Sequence, residues 1–406
     1  MPEPRATLFS SDYFRDPYPT LAWLRENSPV HHLSFPGSDV PAVLVTRYAD
    51  VRNVLADRRF STRQVKWANA AFREAGLIIG ESGVFEHAFT LQDPPDHTRI
   101  RRLLMPFFVP SRISSWRAMI QEKVAQNLAV VRGDSFDLIE SFAGIIPVQV
   151  VNEVLGFPPN HYASVAGAVD RILPADPSRA EATHGAIDTI CDMSRTLVLQ
   201  KEREPSDDLV SFLVSSWREG DTLSLDELTA LVTSIILGGI DSTRALISNS
   251  ILALLHSPDQ LDLLRSDPSI AAQAADEFIR HSGPIMVPMV RFPVEDVEID
   301  GQSIPAGTPV MPCVLAANRD PALAEDPDRL DLRRSGIRHL GLGYGMHNCL
   351  GAALARLQAE IAIPAVVHAF PAMELAVPRE ELTYGNSLTL RGLTALPLRT
   401  GLATNP

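Results

Sequence analysis

The sequence predicts a mainly α protein with a minor β part, folded as a single domain over residues 1–406. Three observations lead there. Helical patterns dominate the first 280 or so positions, short strands and turns appear after residue 284, and the ordering lacks the strand–helix alternation of a parallel α/β sheet or barrel. No Gly/Ser linker, repeat or low-complexity block divides the chain, and its 32 prolines are spread along its length.

Taken in order, YPTLAWLREN (18–27) has helical spacing, and PAVLVTRY (41–48) reads as a strand leading into the helical ADVRNVLAD. Residues 64 to 92 form an irregular, partly apolar stretch with Trp67, Phe72 and Phe85. Loops of that length more often serve function than mere connection. Helical patterns resume and are interrupted by PADPS (174–178) and EREPSDD (202–208).

From Ser224 to Ser257 the chain reads as one long helix. Ser224 and Glu227 have capping-box spacing, and Ser257-Pro258 opens the next helix. At about 1.5 Å per residue such a rod runs roughly 48 Å, which places it at the centre of the fold. Beyond residue 284, VRFPVEDVEIDGQSIPAGTPVMP alternates strand segments with DG and PAG turns; the helix GAALARLQAEIAIPAVVHAF and a hairpin in SLTLRGLTALPL complete the pattern.

Composition narrows the function. The net charge is −13 with acids and bases interspersed, so no nucleic-acid partner is expected. The N-terminal stretch has no basic segment followed by an apolar run, so a cytoplasmic protein without a membrane partner is expected. Three cysteines, Cys191, Cys313 and Cys349, lie far apart with no CxxC, which argues against a disulfide framework, a structural zinc site or covalent haem attachment.

Cys349 lies in LGYGMHNCLG (Leu342–Gly351), among glycines whose fixation costs backbone entropy. Three readings stand for it: a buried structural thiol, a nucleophile with His347 as base, and an axial thiolate on haem iron. On the third reading the glycines let the loop lie against a macrocycle, and the following helix adds its positive end near the sulfur. Gly238 and Gly239 also need a reason, since each costs roughly 1 kcal/mol relative to alanine inside a helix. Close helix packing is the reason the residues themselves offer.

LGYGMHNCLG resembles the haem-binding loop of the cytochrome P-450 family, F-G-x-G-x-H-x-C-x-G, with Leu342 in place of the phenylalanine. LGGIDS is similar to the family's A-G-x-D-T, with Ser242 for threonine. The resemblance runs from about Tyr18 to Leu398. It implies haem b with Cys349 on the iron, Gly343 and Gly351 shaping the loop, and His97, Arg101, Arg291 and His347 holding the propionates. It implies dioxygen as co-substrate, Asp241 delivering protons and Ser242 hydrogen-bonding the oxygen; Glu277 and Arg280 would form a structural ion pair. By family position the substrate pocket would include Trp67, Phe72, Phe85, Ile235, Gly239, Val287, Met289 and Leu388, which together suit a mostly apolar small molecule such as a bacterial natural-product intermediate.

The expected reaction is hydroxylation or epoxidation. The alternatives are a haem-thiolate peroxygenase or oxidative-coupling enzyme, raised by Ser242 and Leu342, and, from another class, a haem-based sensor. With no dinucleotide fingerprint in the chain, electrons would come from a separate ferredoxin and ferredoxin reductase. The carrier is expected on the cysteine side, near Arg101, Arg102, Arg338 and Arg356.

Overall fold

The capping box at Ser224 forms in full: Ser224 Oγ accepts the Glu227 N–H at 3.1 Å, and Glu227 Oε2 accepts the Ser224 N–H at 2.7 Å. From it runs Leu225–Gly239, and Asp241–Leu255 continues almost directly. The expected single rod is therefore two helices, interrupted at Ile240 (φ −87°, ψ −66°). Two adjacent glycines precede the break, and Ser242 Oγ donates to the Gly238 carbonyl at 2.7 Å, giving that carbonyl a side-chain partner.

The two glycines play opposite parts. A Cβ on Gly239 would lie 2.8 Å from Val151 Cγ2, so this glycine lets the helix Ile145–Leu155 pack closely; a Cβ on Gly238 would meet nothing within 4 Å. Open space thus faces Gly238. The assignment of Gly239 to the pocket is corrected accordingly.

The computed structural model describes residues 8–79, 83–170, 180–220 and 223–401. The PADPS interruption lies outside these. One apolar core surrounds the broken helix, joining Ile236, Ile240, Ile247 and Ile251 to Phe142, Val198, Phe278 and Ile363. By length and composition Leu225–Leu255 could cross a membrane, but here it forms the buried centre of this core.

The β part is small. Val30–Ser34 pairs antiparallel with Pro41–Val45, which pairs parallel with Val310–Pro312. Val297–Ile299 and Gln302–Ile304 make the hairpin expected at Asp300-Gly301, with φ of 50° and 73° at the two turn residues.

Two local expectations fail. Residues 64–92 are not irregular throughout: Gln64–Trp67 and Ala70–Glu74 are helical, the second capped by Asn69, and Val84–His87 and Phe89–Leu91 are 3-10 turns. The closing hairpin is absent because its residues pair elsewhere. Leu390 bridges Ile285, Leu393 bridges Tyr384, and Pro397–Arg399 pairs with both Ser135–Asp137 and Glu374–Leu375. Ser387 Oγ accepts the N–H groups of Thr389 and Leu390 and bends the segment.

Glu277 and Arg280 are both buried on the helix Ala271–His281 and bond at 2.7 and 2.8 Å. Arg280 also donates to the carbonyls of Asn318, Pro327 and Arg329, while Glu277 Oε1 accepts the Asp331 N–H. Asn318 Oδ1 in turn accepts the Leu340 N–H at 2.7 Å. The pair thereby anchors the approach to the cysteine loop.

Candidate active site

The cysteine loop begins where that anchor ends. Gly343 N–H donates to Leu340 O at 2.8 Å and Cys349 N–H to Leu342 O at 2.7 Å. Gly343 and Gly345 both have φ of +72°, and a Cβ on Gly345 would sit 2.6 Å from the Leu55 carbonyl oxygen. Only glycine fits there. Gly351 precedes the helix Ala352–Ala369, and its N–H bonds to the Cys349 sulfur.

Cys349 is the one exposed cysteine of the three. Enough protein surrounds it that burial raises its pKa, against which the Gly351 hydrogen bond, Arg101 and Arg356 act. The sulfur is thus exposed even though much protein surrounds it. His347 does not serve as its base: the ring lies 4.3 Å from that of His97, and Nε2 lies 3.4 Å from Thr62 Oγ1.

Other elements contribute buried polar groups without partners. His97 is 1% exposed with neither ring nitrogen bonded, and Arg291, 2% exposed, has an unbonded Nη1. Burial takes Arg291 down to about 10, His97 to about 4 and His347 to about 2. Buried donors are normally satisfied, and a carboxylate-bearing group fits this set. A thiol beside cation-forming side chains suits an iron porphyrin with two propionates.

Arg101 departs from its expected part. On the helix Asp96–Leu104 it shares a face with His97, but Nη1 and Nη2 donate to Asn348 O (2.8 Å) and Oδ1 (2.7 Å). It braces the cysteine loop through the residue before the sulfur.

On the otherwise buried central pair, Gly238 is exposed and Ile235 and Ser242 are half-buried. Asp241 is 6% exposed and pairs with Arg244 Nη2 at 2.7 Å. Burial raises its carboxyl from 3.8 to about 7, with Arg244 lowering and Asp170 raising it. Between these values the folded chain holds a proton that the unfolded chain has lost, so stability from this group is full below about pH 4 and falls as the pH rises to about 7. Melting curves of Asp241→Asn and the parent should therefore diverge across this window, the parent losing more on alkalinisation; parallel curves would count against a buried, proton-holding Asp241.

A cavity of about 1100 Å³ is lined by Phe72, Met289 and Leu388, together with Thr62, Gln64 and Phe35. Four other expected pocket residues do not line this cavity. Trp67 stacks on Lys66, Phe85 sits half-buried in a 3-10 turn, Ile235 packs at the edge of the main core, and Val287 is buried in the cluster of Tyr13 and Leu315. Thr62, Gln64 and Phe35 carried no sequence signal. Arg244 did, as a base three residues after an acid.

The family model for Cytochrome P450 matches residues 175–382. The chain belongs to the cytochrome P450 family. This P450 is 37% identical over 396 residues to vitamin D(3) 25-hydroxylase of Pseudonocardia autotrophica, covering 97% of this chain and 96% of that protein. It is 35% identical over 399 residues to 6-deoxyerythronolide B hydroxylase of Saccharopolyspora erythraea, covering 97% and 98%. Among solved structures it is similar to the myxobacterial cytochrome P450 CYP267B1 in complex with myristic acid, with TM-score 0.91, 32% identity and coverage of 98% and 99%. The mainly α fold is thus that of the family, and the chain is a monooxygenase that uses haem iron and dioxygen, takes a small-molecule substrate and needs redox partners.

Proposed function

We propose that the chain, as one cytoplasmic haem-thiolate unit, hydroxylates or epoxidises a mostly apolar small molecule of bacterial natural-product metabolism. The observation that carries the site is the set of unpartnered buried donors on His97 and Arg291 near a sulfur held by glycine geometry. Haem b would be held through Cys349, with Gly343 and Gly351 shaping its seat and His97, Arg291 and His347 facing the propionates. Bound haem supplies the dioxygen and electron-transfer chemistry, which the Cys349 sulfur supports by donating electron density.

The chain's own residues position and protonate. Asp241, buried and poised near neutrality, delivers protons on the Gly238 side. The Ser242 hydroxyl, donated to Gly238 O at rest, can rotate to hydrogen-bond the oxygen co-substrate. Without the methyl that restricts threonine it is a looser donor. Ser242→Ala is therefore expected to release severalfold more hydrogen peroxide per electron pair consumed; unchanged coupling would remove Ser242 from the reaction.

Phe72, Met289 and Leu388 give the cavity its apolar wall. A separate ferredoxin, reduced by its reductase, supplies electrons at the cysteine side. Relatives named for hydroxylating vitamin D(3) and 6-deoxyerythronolide B make these two compounds suitable probes. Oxygenated product from either probe, dependent on ferredoxin and reductase, supports the reading; turnover by peroxide alone at the same rate favours a peroxygenase.

A further inference from the structure

We propose that the N-terminal segment from Leu8 to Phe14 closes one end of the cavity as a subsite for the apolar end of an elongated, uncharged molecule, and that Phe9 determines how well that end is held. This rests on the cavity being the substrate site of the proposed monooxygenase, and it adds the chemistry of what enters.

The walls show how far the cavity reaches. Thr62, whose hydroxyl lies 3.4 Å from His347 Nε2 of the cysteine loop, lines it, and so do Leu8, Phe9, Phe14 and Trp23 of the N-terminal part. It lies between two apolar clusters, one containing Phe14 and Met286 and the other Phe72 and Phe292, with Phe35 and Val290 packed against both. A molecule that touches Thr62 and Phe9 together is therefore long.

The wall also carries almost no charge. Among the described residues that line the cavity there is no Asp, Glu, Lys or Arg. Of its two histidines, His184 is exposed, and His31 Nδ1 lies 3.1 Å from Ser28 Oγ. Burial, with His32 beside it, pushes the His31 pKa below 6.5, so this ring is neutral above that pH. A carboxylate or ammonium placed inside would lack a counter-charge and lose its water, whereas an uncharged end loses little. Thr62, Gln64 and Asn386 remain as neutral hydrogen-bonding groups.

Phe9 itself is held in an unfavourable backbone. Its φ of 62° is left-handed, where a Cβ crowds the following carbonyl. The rings of Tyr13 and Phe14, with centroids 5.4 and 6.4 Å away, pack against it. The helix Ser11–Arg15 that carries them is fixed on three sides. Ser10 Oγ accepts the Tyr13 N–H at 3.3 Å, the Tyr13 hydroxyl donates to Met286 Sδ at 3.5 Å, and Arg391 donates to the carbonyls of Phe14 (3.2 Å) and Arg15 (2.8 Å). Strained backbone persists where its surroundings over-determine it, and such residues gather at ligand clamps. Here the turn before the helix brings the Phe9 ring to the cavity wall.

The test is equilibrium dialysis of the haem-loaded protein in mildly alkaline buffer. Methyl laurate, laurate and dodecylammonium share one chain length and differ in charge, and methyl hexanoate is the short neutral probe. Methyl laurate should bind more than about tenfold more tightly than either charged probe. Phe9→Gly removes the ring and suits the left-handed backbone, so the variant is expected to fold. It should weaken methyl laurate about tenfold and methyl hexanoate less than about twofold, because only the long chain reaches the subsite. Trp23→Ala should act in the same sense. Charged and neutral probes bound alike, a long-chain preference unchanged in Phe9→Gly, or no binding of any probe to haem-loaded protein each overturns the subsite. The expected binding pattern in a protein that gives no haem-thiolate spectrum would instead overturn the monooxygenase reading and leave the subsite standing.

Discussion

Arg280→Met is expected to destabilise the folded chain by about 3–5 kcal/mol, because it takes from the buried Glu277 its two-bonded partner and leaves only Arg334, at 3.4 Å, to pair with it. The loss extends beyond the pair. The carbonyls of Asn318, Pro327 and Arg329 lose their guanidinium donors together, and each unmet buried acceptor carries its own penalty. Against a typical total of about 5–15 kcal/mol, this should show as poor accumulation of folded protein and a sharply lowered denaturant midpoint. The double variant Glu277→Leu, Arg280→Met removes the under-paired acid and should recover part of the loss. Recovery should stay incomplete, since the Asp331 N–H and three carbonyls remain unpaired. A single variant within about 1 kcal/mol of the parent would show that the pair does not hold the fold.

The second large effect falls on Cys349. Cys349→Ala removes the sulfur while leaving His97, Arg291 and His347 in place. Porphyrin affinity should drop without vanishing, because two of the three proposed propionate partners, His97 and Arg291, lie outside the cysteine loop. Monooxygenase turnover should fall below detection, since no other residue supplies a thiolate: Cys191 and Cys313 are both buried, with burial raising the pKa of each, that of Cys313 to about 12. Added imidazole or thiol ligands offer a rescue assay. Parental turnover in Cys349→Ala would place the chemistry elsewhere.

The legibility of this site in the sequence followed the range of the interactions involved. The cysteine loop could be read directly because its constraints are local: left-handed backbone at Gly343 and Gly345 demands glycine, and a Cβ at Gly345 would strike Leu55. The capping box and the Asp300-Gly301 hairpin were legible for the same reason. The parts of Gly238 and Gly239 were not, because only the approach of Val151 from another helix decides which glycine packs and which faces open space. The break at Ile240 was likewise obscured by apolar periodicity that continues on both sides.

Long-range partners account for the other departures. Arg101 has the helical spacing to accompany His97, but Asn348, almost 250 residues away, takes two of its nitrogens. The supposed hairpin at the C-terminal end pairs with Ile285, Ser135–Asp137 and Glu374–Leu375, none of them adjacent in sequence. Asp170 reaches Arg244 from a separate helix, which no local pattern announces. Cavity walls depend on such contacts throughout: Phe72 and Met289 line the space while Val287, two residues from Met289, is buried in another cluster.

The most direct measurement is the ferrous–carbon monoxide difference spectrum of the purified haem-loaded protein. Ligation of iron by the Cys349 thiolate predicts the long-wavelength Soret band of haem-thiolate proteins, lost in Cys349→Ala. A band at the shorter wavelength given by nitrogen-ligated haem, or a thiolate band that survives in Cys349→Ala, would contradict the assignment.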